Sequence, residues 1–565
     1  MPRSWLLLAV ALHLALAGAY AWRTPSFEGP DENSHYEYAW HLANAKKLPL
    51  ARQLAAARGL PQTEQVGLAH HPPLYYALLA LPLLATGTDD TVFGPLGNPA
   101  FGDATQPSQH LKFRHAVGPP AVLLLLRSVS VALGALSLVL LHRLARICCP
   151  TMPRVADLAA LLTACLPMWS FLHGVLNNDV LAITVTTAAV LAIVTMLRAE
   201  RVRRGHGVVI GALLAGALLT KLTTLFLLPL AALAFVVRAR RDGDGRRACA
   251  VAAAISALVL AALAGWWFVR NGMLYGDLLA TSAHDAAFAP IPPEHRWTWF
   301  TSGFLPTIGP ALFGRFGWFS LPAPSALVWT GTSVAALALA GLARWRMDRE
   351  RPPLHESWLL ALALLLVFAG TATFNWKSPQ PQARLLLPAA APAAILLAVG
   401  LLRLTNGLAW RRAFAALPPL AAIAVFVGWF APAFAIELAP APPSHRSLVG
   451  GIVAPATTPH LRWRDAGGGV LRTPPTLHWD DPDAPPGVRY SLYAFDAAGR
   501  VHLATHEWTG GTWAITGDTF TLPEGGFAFL PRGVDLFLRL RRVPTTTAED
   551  PARLPTSPPW PLRVE

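Results

Sequence analysis

The stretch SWLLLAVALHLALAGAYAW, residues 4–22, decides the fold class, because it is long and apolar enough to cross a lipid bilayer as a helix. Further apolar runs follow along the chain, each approaching the length of about 20 residues that a membrane-spanning helix needs. The chain is therefore predicted to be an all-α polytopic membrane protein with about eleven transmembrane helices. The predicted spans are residues 4–22, 118–142, 155–173, 178–197, 207–220, 222–237, 249–269, 325–343, 357–374, 384–402 and 413–435.

The composition agrees with a membrane protein and excludes other classes. Of the 565 residues, 53% are hydrophobic and only 14% are charged, whereas a soluble protein would carry about a quarter charged residues. The net charge of +14 does not indicate nucleic-acid binding, because the basic residues fall mostly in short segments between apolar runs. No disulfide framework or zinc-type spacing is expected from the four cysteines, which are Cys148, Cys149, Cys165 and Cys249.

The positive-inside rule gives the orientation of the spans. Arginines cluster in five successive segments that would lie in the cytoplasm, at residues 143–154, 198–204, 238–247, 344–351 and 403–412. This pattern requires a tight hairpin around Lys221 on the outer face, although a single long helix over residues 207–237 is the alternative. The alanine- and arginine-rich composition is compatible with a bacterium of high genomic GC content. We therefore expect a multi-pass protein of the bacterial inner membrane, with its outer face in the periplasm.

An acidic pair, Asp31-Glu32, follows the first span directly, within the stretch GPDENSHY at residues 29–36. Ionised carboxylates are costly in the hydrocarbon of a membrane and are usually functional when they are held at its boundary. The alternative role is to stabilise the N-terminus of the short helix that follows. If the first span were a cleaved signal peptide, the pair would still emerge on the outer face. We predict that Asp31 and Glu32 are catalytic.

Two adjacent histidines lie in the same outer region. His70 and His71 precede a predicted interfacial helix in the stretch HHPPLYY, residues 70–76, which also contains Tyr75. Proline is well placed at a helix start, and tyrosine prefers the membrane interface. Neighbouring histidines are poorly placed to chelate one metal ion. We expect them to form hydrogen bonds to a substrate or to Glu64, with a purely structural role as the alternative.

Further charged residues collect on the outer face, at the ends of predicted spans. Asp179 opens the fourth span after two asparagines, where it either caps the helix or contributes to an external cavity. Four cations also lie at such ends, and we predict that they bind substrate: Lys221, Arg270, Lys377 and Arg384. The alternative is that their side chains only snorkel to lipid headgroups.

This combination of an acid with several cations suits group transfer from a phosphate leaving group. A carboxylate can remove the proton of an acceptor hydroxyl, while arginine or lysine stabilises the charge that grows on the departing phosphate. Nucleotide-activated donors are scarce outside the cytoplasm. The phosphate would therefore have to arrive on a membrane lipid.

The motifs resemble those of the GT-C superfamily of integral-membrane glycosyltransferases. The most similar members are the bacterial ones akin to protein O-mannosyltransferases and to the aminoarabinose transferases that act on lipid A. The resemblance covers residues 1 to about 435. It rests on Pro30-Asp31-Glu32 with His35-Tyr36 and Tyr38-Ala39, His71-Pro72-Pro73-Leu74-Tyr75-Tyr76, Asn177-Asn178-Asp179, Arg270-Asn271 with Tyr275-Gly276-Asp277, and Gln382-Ala383-Arg384-Leu385-Leu386-Leu387-Pro388.

The resemblance implies a polyprenyl-phosphate sugar as donor, inversion at the anomeric carbon, and a glycan, lipid or protein as acceptor. It implies that Asp31 acts as the base or orients the acceptor, with Glu32 beside it. It also implies that Arg384 and Lys377 bind the donor phosphate and that His35 contributes to substrate binding. Some members of the superfamily use a divalent metal and others do not, and the sequence leaves both options open.

The tail of the chain changes character. It is rich in proline and glycine and contains runs that are typical of strands, separated by a turn at residues 496–500. The predicted strands are residues 488–495, 501–508, 512–516 and 536–543. We predict a transmembrane domain over residues 1–438 and a small external all-β domain, sandwich-like, over residues 439–565.

Two other functions remain as alternatives. A transporter or flippase of lipid-linked glycans would need polar residues near the middle of its spans and paired, broken helices, whereas here the charges gather at the outer ends. A non-catalytic envelope-assembly protein, acting through its β-domain, would tolerate replacement of Asp31.

Overall fold

Helix α1, Ser4–Arg23, is the first of eight helices that are long and apolar enough to cross a membrane among the residues that the structure describes. The structure is a computed structural model. It describes residues 4–24, 27–51, 65–86, 121–241, 245–287, 290–317, 321–348, 352–404, 423–424, 426–427, 461–464, 469–486, 488–496, 501–504, 515–522, 533, 535–542 and 556–565. The chain divides into two compact units, a helical one and one made mainly of residues beyond 432.

The helical unit contains long spanning helices and shorter helices between them. The α-helices after α1 are α2 (Glu32–Ala45), α3 (Leu74–Thr86), α4 (Ala121–Cys148), α5 (Pro153–Ala164), α6 (Pro167–His173), α7 (Asp179–Arg198), α8 (Arg204–Leu218), α9 (Leu227–Arg241), α10 (Arg246–Tyr275), α11 (Thr281–Ala287), α12 (Arg296–Trp299), α13 (Leu305–Ala311), α14 (Ser325–Met347), α15 (Ser357–Lys377) and α16 (Ala390–Leu404). Short 3₁₀ segments at Leu222–Phe226 and Ala383–Ala389 lead into α9 and α16. Two short strand pairs accompany the helices: β1 (Leu50–Ala51) pairs with β2 (Gln65–Val66) in parallel, and β3 (Arg315–Phe316) pairs with β4 (Leu321–Pro322) in antiparallel fashion.

The prediction of a polytopic helical protein is confirmed, but the count of eleven spans is not. The fifth predicted span corresponds to α8, which has only 15 residues, and residues 413–435 of the eleventh lie largely outside the described residues. The alternative of one long helix over residues 207–237 is wrong. Helix α8 ends at Leu218, and Lys221 is extended, with φ −161° and ψ 136°.

The third predicted span is bent instead of straight. Helices α5 and α6 meet at an angle of 67° at Cys165-Leu166. Pro167 explains the bend, since proline begins a helix well but disfavours helical geometry in the residue before it. Leu166 accordingly has ψ 116°. The bend directs the end of α6 toward the turn that precedes α7.

A close contact between that turn and α1 depends on glycine. A Cβ atom added to Gly174 would lie 2.8 Å from the carbonyl oxygen of Ala17 and 2.8 Å from Cβ of Tyr20. Only glycine therefore lets the segment between α6 and α7 approach α1 this closely. This contact helps to position the polar residues that open α7.

The second unit is built from antiparallel and mixed strands around one hydrophobic core. The strands are β5 (Arg462–Trp463), β6 (Val470–Leu471), β7 (Thr476–Asp480), β8 (Arg489–Asp496), β9 (Val501–Ala504), β10 (Ile515–Thr516), β11 (Thr519–Thr521), β12 (Asp535–Arg542) and β13 (Trp560–Val564). One sheet has the order β10-β8-β12-β13-β6 with β9 paired to β8, and the other has the order β11-β7-β5. Leucine and tryptophan side chains of both sheets, including Trp479 and Leu538, share the core.

The predicted C-terminal β region is therefore confirmed. Strands β8 and β12 match two predicted strands to within one residue at each end, because both carry long alternating patterns. The shorter strands β5, β6, β7, β11 and β13 were not predicted. The predicted boundary between residues 438 and 439 lies outside the described residues and stays a prediction.

Candidate active site

Asp31 lies immediately before α2 in a strained backbone conformation. Its φ of 58° and ψ of 13° place it in the left-handed region, which is uncommon for residues other than glycine. Its side chain makes no capping hydrogen bond to α2, so the capping role considered for it is not realised. Strained residues of this kind concentrate at functional sites. The carboxylate retains 31% side-chain exposure.

Two acids and two cations form a chain of contacts around Asp31, which we call the acid–base tetrad. Nη2 of Arg384 donates a hydrogen bond of 2.7 Å to Oδ2 of Asp31. Nε of Arg384 lies 3.8 Å from Oδ2 of Asp179. Nζ of Lys221 donates a hydrogen bond of 2.6 Å to Oδ1 of Asp179. The tetrad is Asp31, Arg384, Asp179 and Lys221.

Each member of the tetrad comes from the end of a different element. Asp31 precedes α2, Asp179 opens α7, Lys221 follows α8, and Arg384 is the second residue of the 3₁₀ segment Ala383–Ala389. The side chains of Asp179, Arg384 and Lys221 are 0%, 8% and 10% exposed. Buried charges are stable only when they are paired, so each acid and each cation depends on its neighbours.

The surroundings of Asp31 keep its carboxylate ionised. Burial alone would raise the pKa of Asp31. The guanidinium of Arg384 opposes this effect most strongly, with smaller contributions from His35 and Lys221, and the pKa of Asp31 falls below its ordinary value. Asp31 is therefore an anion at neutral pH and able to accept a proton.

The histidines near the tetrad are neutral. Burial lowers the pKa of His35 to about 3 and that of His70 to about 4, and burial together with neighbouring cations holds the pKa of His71 well below its ordinary value. Nδ1 of His35 lies 3.0 Å from the hydroxyl of Tyr76. Nδ1 of His71 lies 2.8 Å from the amide nitrogen of Asn178. These imidazoles can donate or accept hydrogen bonds without adding charge.

Glu32 differs from Asp31 in every contact. It is completely buried, and Arg127 binds it in bidentate fashion, with Nε 2.8 Å from Oε1 and Nη2 2.6 Å from Oε2. The backbone nitrogen of Leu176 also donates to Oε1 at 3.0 Å. Both carboxylate oxygens are thus occupied, and no surface of the group reaches a substrate. The geometry favours a structural role for Glu32 over the catalytic role predicted from the sequence.

Arg127 was missed from the sequence, although an arginine within an apolar span is itself a signal of function or pairing. Besides Glu32, it binds the end of α1, because Nη1 donates hydrogen bonds of 2.7 Å to the carbonyl oxygens of Ala21 and Thr24. The guanidinium therefore links α1, α4 and the start of α2. It holds the segment that carries Asp31.

Other predicted residues lie outside the tetrad. The hydroxyl of Tyr75 is buried, accepts from the backbone nitrogen of Asn177 at 3.1 Å, and lies 3.2 Å from the hydroxyl of Ser130. Nη2 of Arg270 donates to the carbonyl oxygen of Pro49 at 2.8 Å. The side chain of Lys377 is exposed. The contacts of the described residues do not bring Arg270 or Lys377 to the tetrad.

Over the described ranges, no group of three or more histidine, cysteine, aspartate or glutamate side chains is placed to hold one metal ion. We therefore assign no metal ligands.

Comparison with known proteins gives one family match and several structural similarities. A family model described as dolichyl-phosphate-mannose-protein mannosyltransferase matches residues 122–267, less than half of the chain. No curated protein matches the chain.

Among solved structures, the chain is similar to ArnT from Cupriavidus metallidurans bound to undecaprenyl phosphate, with 16% identity, 84% of each chain covered and a TM-score of 0.48. It is also similar to the oligosaccharyltransferase AglB from Archaeoglobus fulgidus in complex with an inhibitory peptide and a dolichol-phosphate. That similarity has 15% identity and a TM-score of 0.43, and covers 80% of this chain and 58% of AglB. The protein O-mannosyltransferase Pmt1-Pmt2 complex of S. cerevisiae bound to the sugar donor gives 16% identity and a TM-score of 0.34, over 53% of this chain and 37% of that one.

Residues 122–267 are therefore the part of the chain that is similar to the mannosyltransferase family model.

Proposed function

We propose that the protein transfers a sugar from a polyprenyl-phosphate donor to an acceptor hydroxyl, with inversion, at the periplasmic face of a bacterial inner membrane. The observation that carries this proposal is the acid–base tetrad, in which the partly exposed carboxylate of Asp31 contacts Arg384 and the buried Asp179 links Arg384 to Lys221. The family model matched by residues 122–267 is named for a dolichyl-phosphate-linked mannose, which is a sugar donor of this chemical class.

The two cations of the tetrad are suited to bind the donor. A polyprenyl-phosphate sugar carries one negative charge on its phosphodiester, at the depth of the lipid headgroups. Arg384 and Lys221 are held near each other by the shared contact with Asp179. A phosphate that approached them would exchange the contact between Arg384 and Asp31 for its own contact with the guanidinium.

Asp31 is the residue suited to activate the acceptor. As the carboxylate takes the proton of the acceptor hydroxyl, the acceptor oxygen attacks the anomeric carbon of the sugar. The bond from that carbon to the phosphate oxygen breaks, and its electron pair leaves with the phosphate. A single displacement of this kind inverts the configuration at the anomeric carbon.

During the proposed reaction, negative charge moves from Asp31 to the leaving phosphate. The leaving phosphate gains one negative charge while Asp31 loses one by protonation. The guanidinium that pairs with Asp31 in the structure would pair with the phosphate in the donor complex, and there it stabilises the charge that grows on the leaving phosphate. Both changes therefore favour the products without any further charged group.

The alternative of a flippase finds less support in the structure. Asp179 and Arg384 stand at or next to the starts of candidate spans, and Asp31 and Lys221 lie beside span ends, all on the side that the arginine pattern predicts to be the outer one. A transport pathway would instead place polar binding groups near the middle of the membrane. A non-catalytic assembly role offers no reason for a strained, ionised Asp31.

The proposal is tested with purified protein in liposomes that contain a panel of polyprenyl-phosphate sugars and a membrane extract as the source of acceptors. We expect one of the donors to release free polyprenyl phosphate in a manner that depends on the acceptor. Release should disappear when acceptor is omitted. If no donor is consumed while lipid-linked sugars cross between leaflets faster than in empty liposomes, the protein is a flippase and the proposal is overturned.

A further inference from the structure

The side-chain amide of Asn178 has a defined orientation. Its nitrogen, Nδ2, lies 2.8 Å from Nδ1 of His71 and 3.4 Å from the carbonyl oxygen of Thr220. A carbonyl oxygen only accepts hydrogen bonds, so the atom that faces Thr220 must be the donor nitrogen of the amide. The same nitrogen therefore also donates to Nδ1 of His71.

This orientation determines the tautomer of His71. Because Nδ1 accepts a hydrogen bond, it carries no proton, and in a neutral imidazole the proton must then lie on Nε2. The charged and titratable groups around His71 oppose a second proton, since Lys221, Arg384, His70 and His35 all disfavour its cationic form, as does burial. His71 is thus a hydrogen-bond donor through Nε2.

Asn178 performs no other task that would explain its amide. It stands at the N-cap of α7, the position at which asparagine commonly caps a helix, yet its side chain makes no capping hydrogen bond. It is completely buried, and its Oδ1 has no hydrogen-bond partner within the described part of the chain. Leaving a buried acceptor unpaired costs stability. The amide is retained at that cost in the one orientation that donates to His71.

We propose that Asn178 is a positioning residue, which fixes the tautomer of His71 so that this imidazole donates a hydrogen bond from Nε2 to an oxygen of the lipid-phosphate sugar donor. This inference rests on the proposed function and deepens it. His71 is only partly buried and belongs to the group of residues around Lys221 and Arg384, the two cations suited to the phosphate. A neutral hydrogen-bond donor at this position recognises oxygen atoms of the substrate without adding charge to the site.

Asn178→Asp tests the proposal, because the aspartate has the same shape but can only accept. It would require a proton on Nδ1 of His71. At high pH the single proton of the imidazole would move to Nδ1, and donation from Nε2 would be lost. As the pH falls, the nearby carboxylate favours the imidazolium, in which both nitrogens donate.

We therefore expect kcat/KM for the donor to fall about 10- to 100-fold at pH 8 in Asn178→Asp and to recover toward acidic pH, whereas the wild type shows no such recovery. Adding His71→Gln should remove the recovery. A wild-type pH profile in Asn178→Asp would overturn the proposal.

A second comparison applies if Asn178→Asp fails to fold. His71→Gln keeps an N–H near the position of Nε2, whereas His71→Leu does not. We expect His71→Gln to keep a KM for the donor within about tenfold of the wild-type value and His71→Leu to lose more. Equal losses would overturn the role of Nε2. Absence of transfer by the wild type would instead overturn the proposed function, so the two failures are distinguishable.

Discussion

Nη2 of Arg384 lies 2.7 Å from Oδ2 of Asp31, although 353 positions separate the two residues in the chain. Nε of the same guanidinium lies 3.8 Å from Asp179. One cation thus joins the acid suited to accept a proton with the group of charges suited to bind a phosphate. Because of this contact, we expect substitutions of Arg384 to change both donor binding and the pKa of Asp31.

Arg384→Ala should weaken donor binding more than acceptor binding. The guanidinium is 8% exposed and faces two carboxylates, so its loss would remove the desolvated cation that we propose binds the donor phosphate. We expect KM for the donor to rise about 10- to 100-fold, with a smaller change for the acceptor. Steady-state kinetics with each substrate varied in turn will measure both values.

Lys377→Ala is the matched control for this loss of a cation. Its side chain is exposed, so we expect a change of less than about threefold in either KM. Equal effects of Arg384→Ala on the two substrates would count against a phosphate role. An effect of Lys377→Ala as large as that of Arg384→Ala would restore the phosphate role that the sequence resemblance implied for Lys377.

The pH dependence of transfer should reflect the contact between Asp31 and Arg384. In the proposed reaction the active form of Asp31 is the anion, so activity should be lost as the pH falls through its pKa. Arg384, with His35 and Lys221, outweighs burial and lowers that pKa, so the wild type should keep its activity from about pH 8 to about pH 5.

Arg384→Gln removes the strongest of these favourable interactions and leaves the burial of Asp31. The pKa of Asp31 should then rise, and activity should begin to fall at a higher pH than in the wild type. The measurement is kcat/KM for the donor over this range, because its pH dependence reports the pKa values of the free enzyme, in which Arg384 contacts Asp31. An acid limb at the same pH in both proteins would show that Arg384 does not control the protonation of Asp31.

The buried pair of Glu32 and Arg127 should be essential for stability. Removing one partner leaves an unpaired charge with 0% exposure, so Glu32→Gln or Arg127→Met should each destabilise the protein by about 3–5 kcal/mol. The double variant should lose less than the sum of the two. Thermal unfolding in detergent measures these effects, and Arg464→Ala, in an exposed ion pair, should change little. Full stability of Glu32→Gln with loss of turnover would instead restore a catalytic role for Glu32.

A tight contact at Gly134 of α4 provides a test of the helix packing. A Cβ atom there would collide with the imidazole of His13 and lie 2.6 Å from Cδ2 of His173. Both imidazoles are buried, so Gly134→Ala should destabilise the protein by about 1–3 kcal/mol. In α10, Gly265→Ala meets no atom within 4 Å and should be neutral or slightly stabilising. Equal unfolding temperatures for the two variants would contradict the packing of α1 against α4 and α6.

Hydropathy and charge predicted most of the helices, because each membrane-spanning helix needs about 20 consecutive apolar residues, which are visible in the sequence. The break at Lys221 was also predicted, from the arginines on either side that had to share one face. The bend at Leu166 was missed, although Pro167 carried the signal. The short strand β6, Val470–Leu471, was missed because it pairs with β13, which lies far along the chain.

Within the candidate site, the sequence identified the residue types but not their pairing. All four members of the tetrad were candidates, but the choice of Arg384 over Lys377 as the partner of Asp31 depends on how the 3₁₀ segment leads into α16. The sequence also treated Glu32 as the equivalent of Asp31. Glu32 is one residue further along the chain than Asp31, at the start of α2. Its side chain therefore points into the protein, where Arg127 binds it.

The most direct test of the proposed function is the rate of sugar transfer by Asp31→Asn in a single turnover with bound donor. The substitution keeps the shape of the side chain and removes its ability to accept a proton, so the rate should fall about 10²- to 10⁴-fold. Folding and donor binding should persist, and Glu294→Gln, at an exposed site, should retain full activity. Transfer by Asp31→Asn at a rate close to that of the wild type would contradict the account.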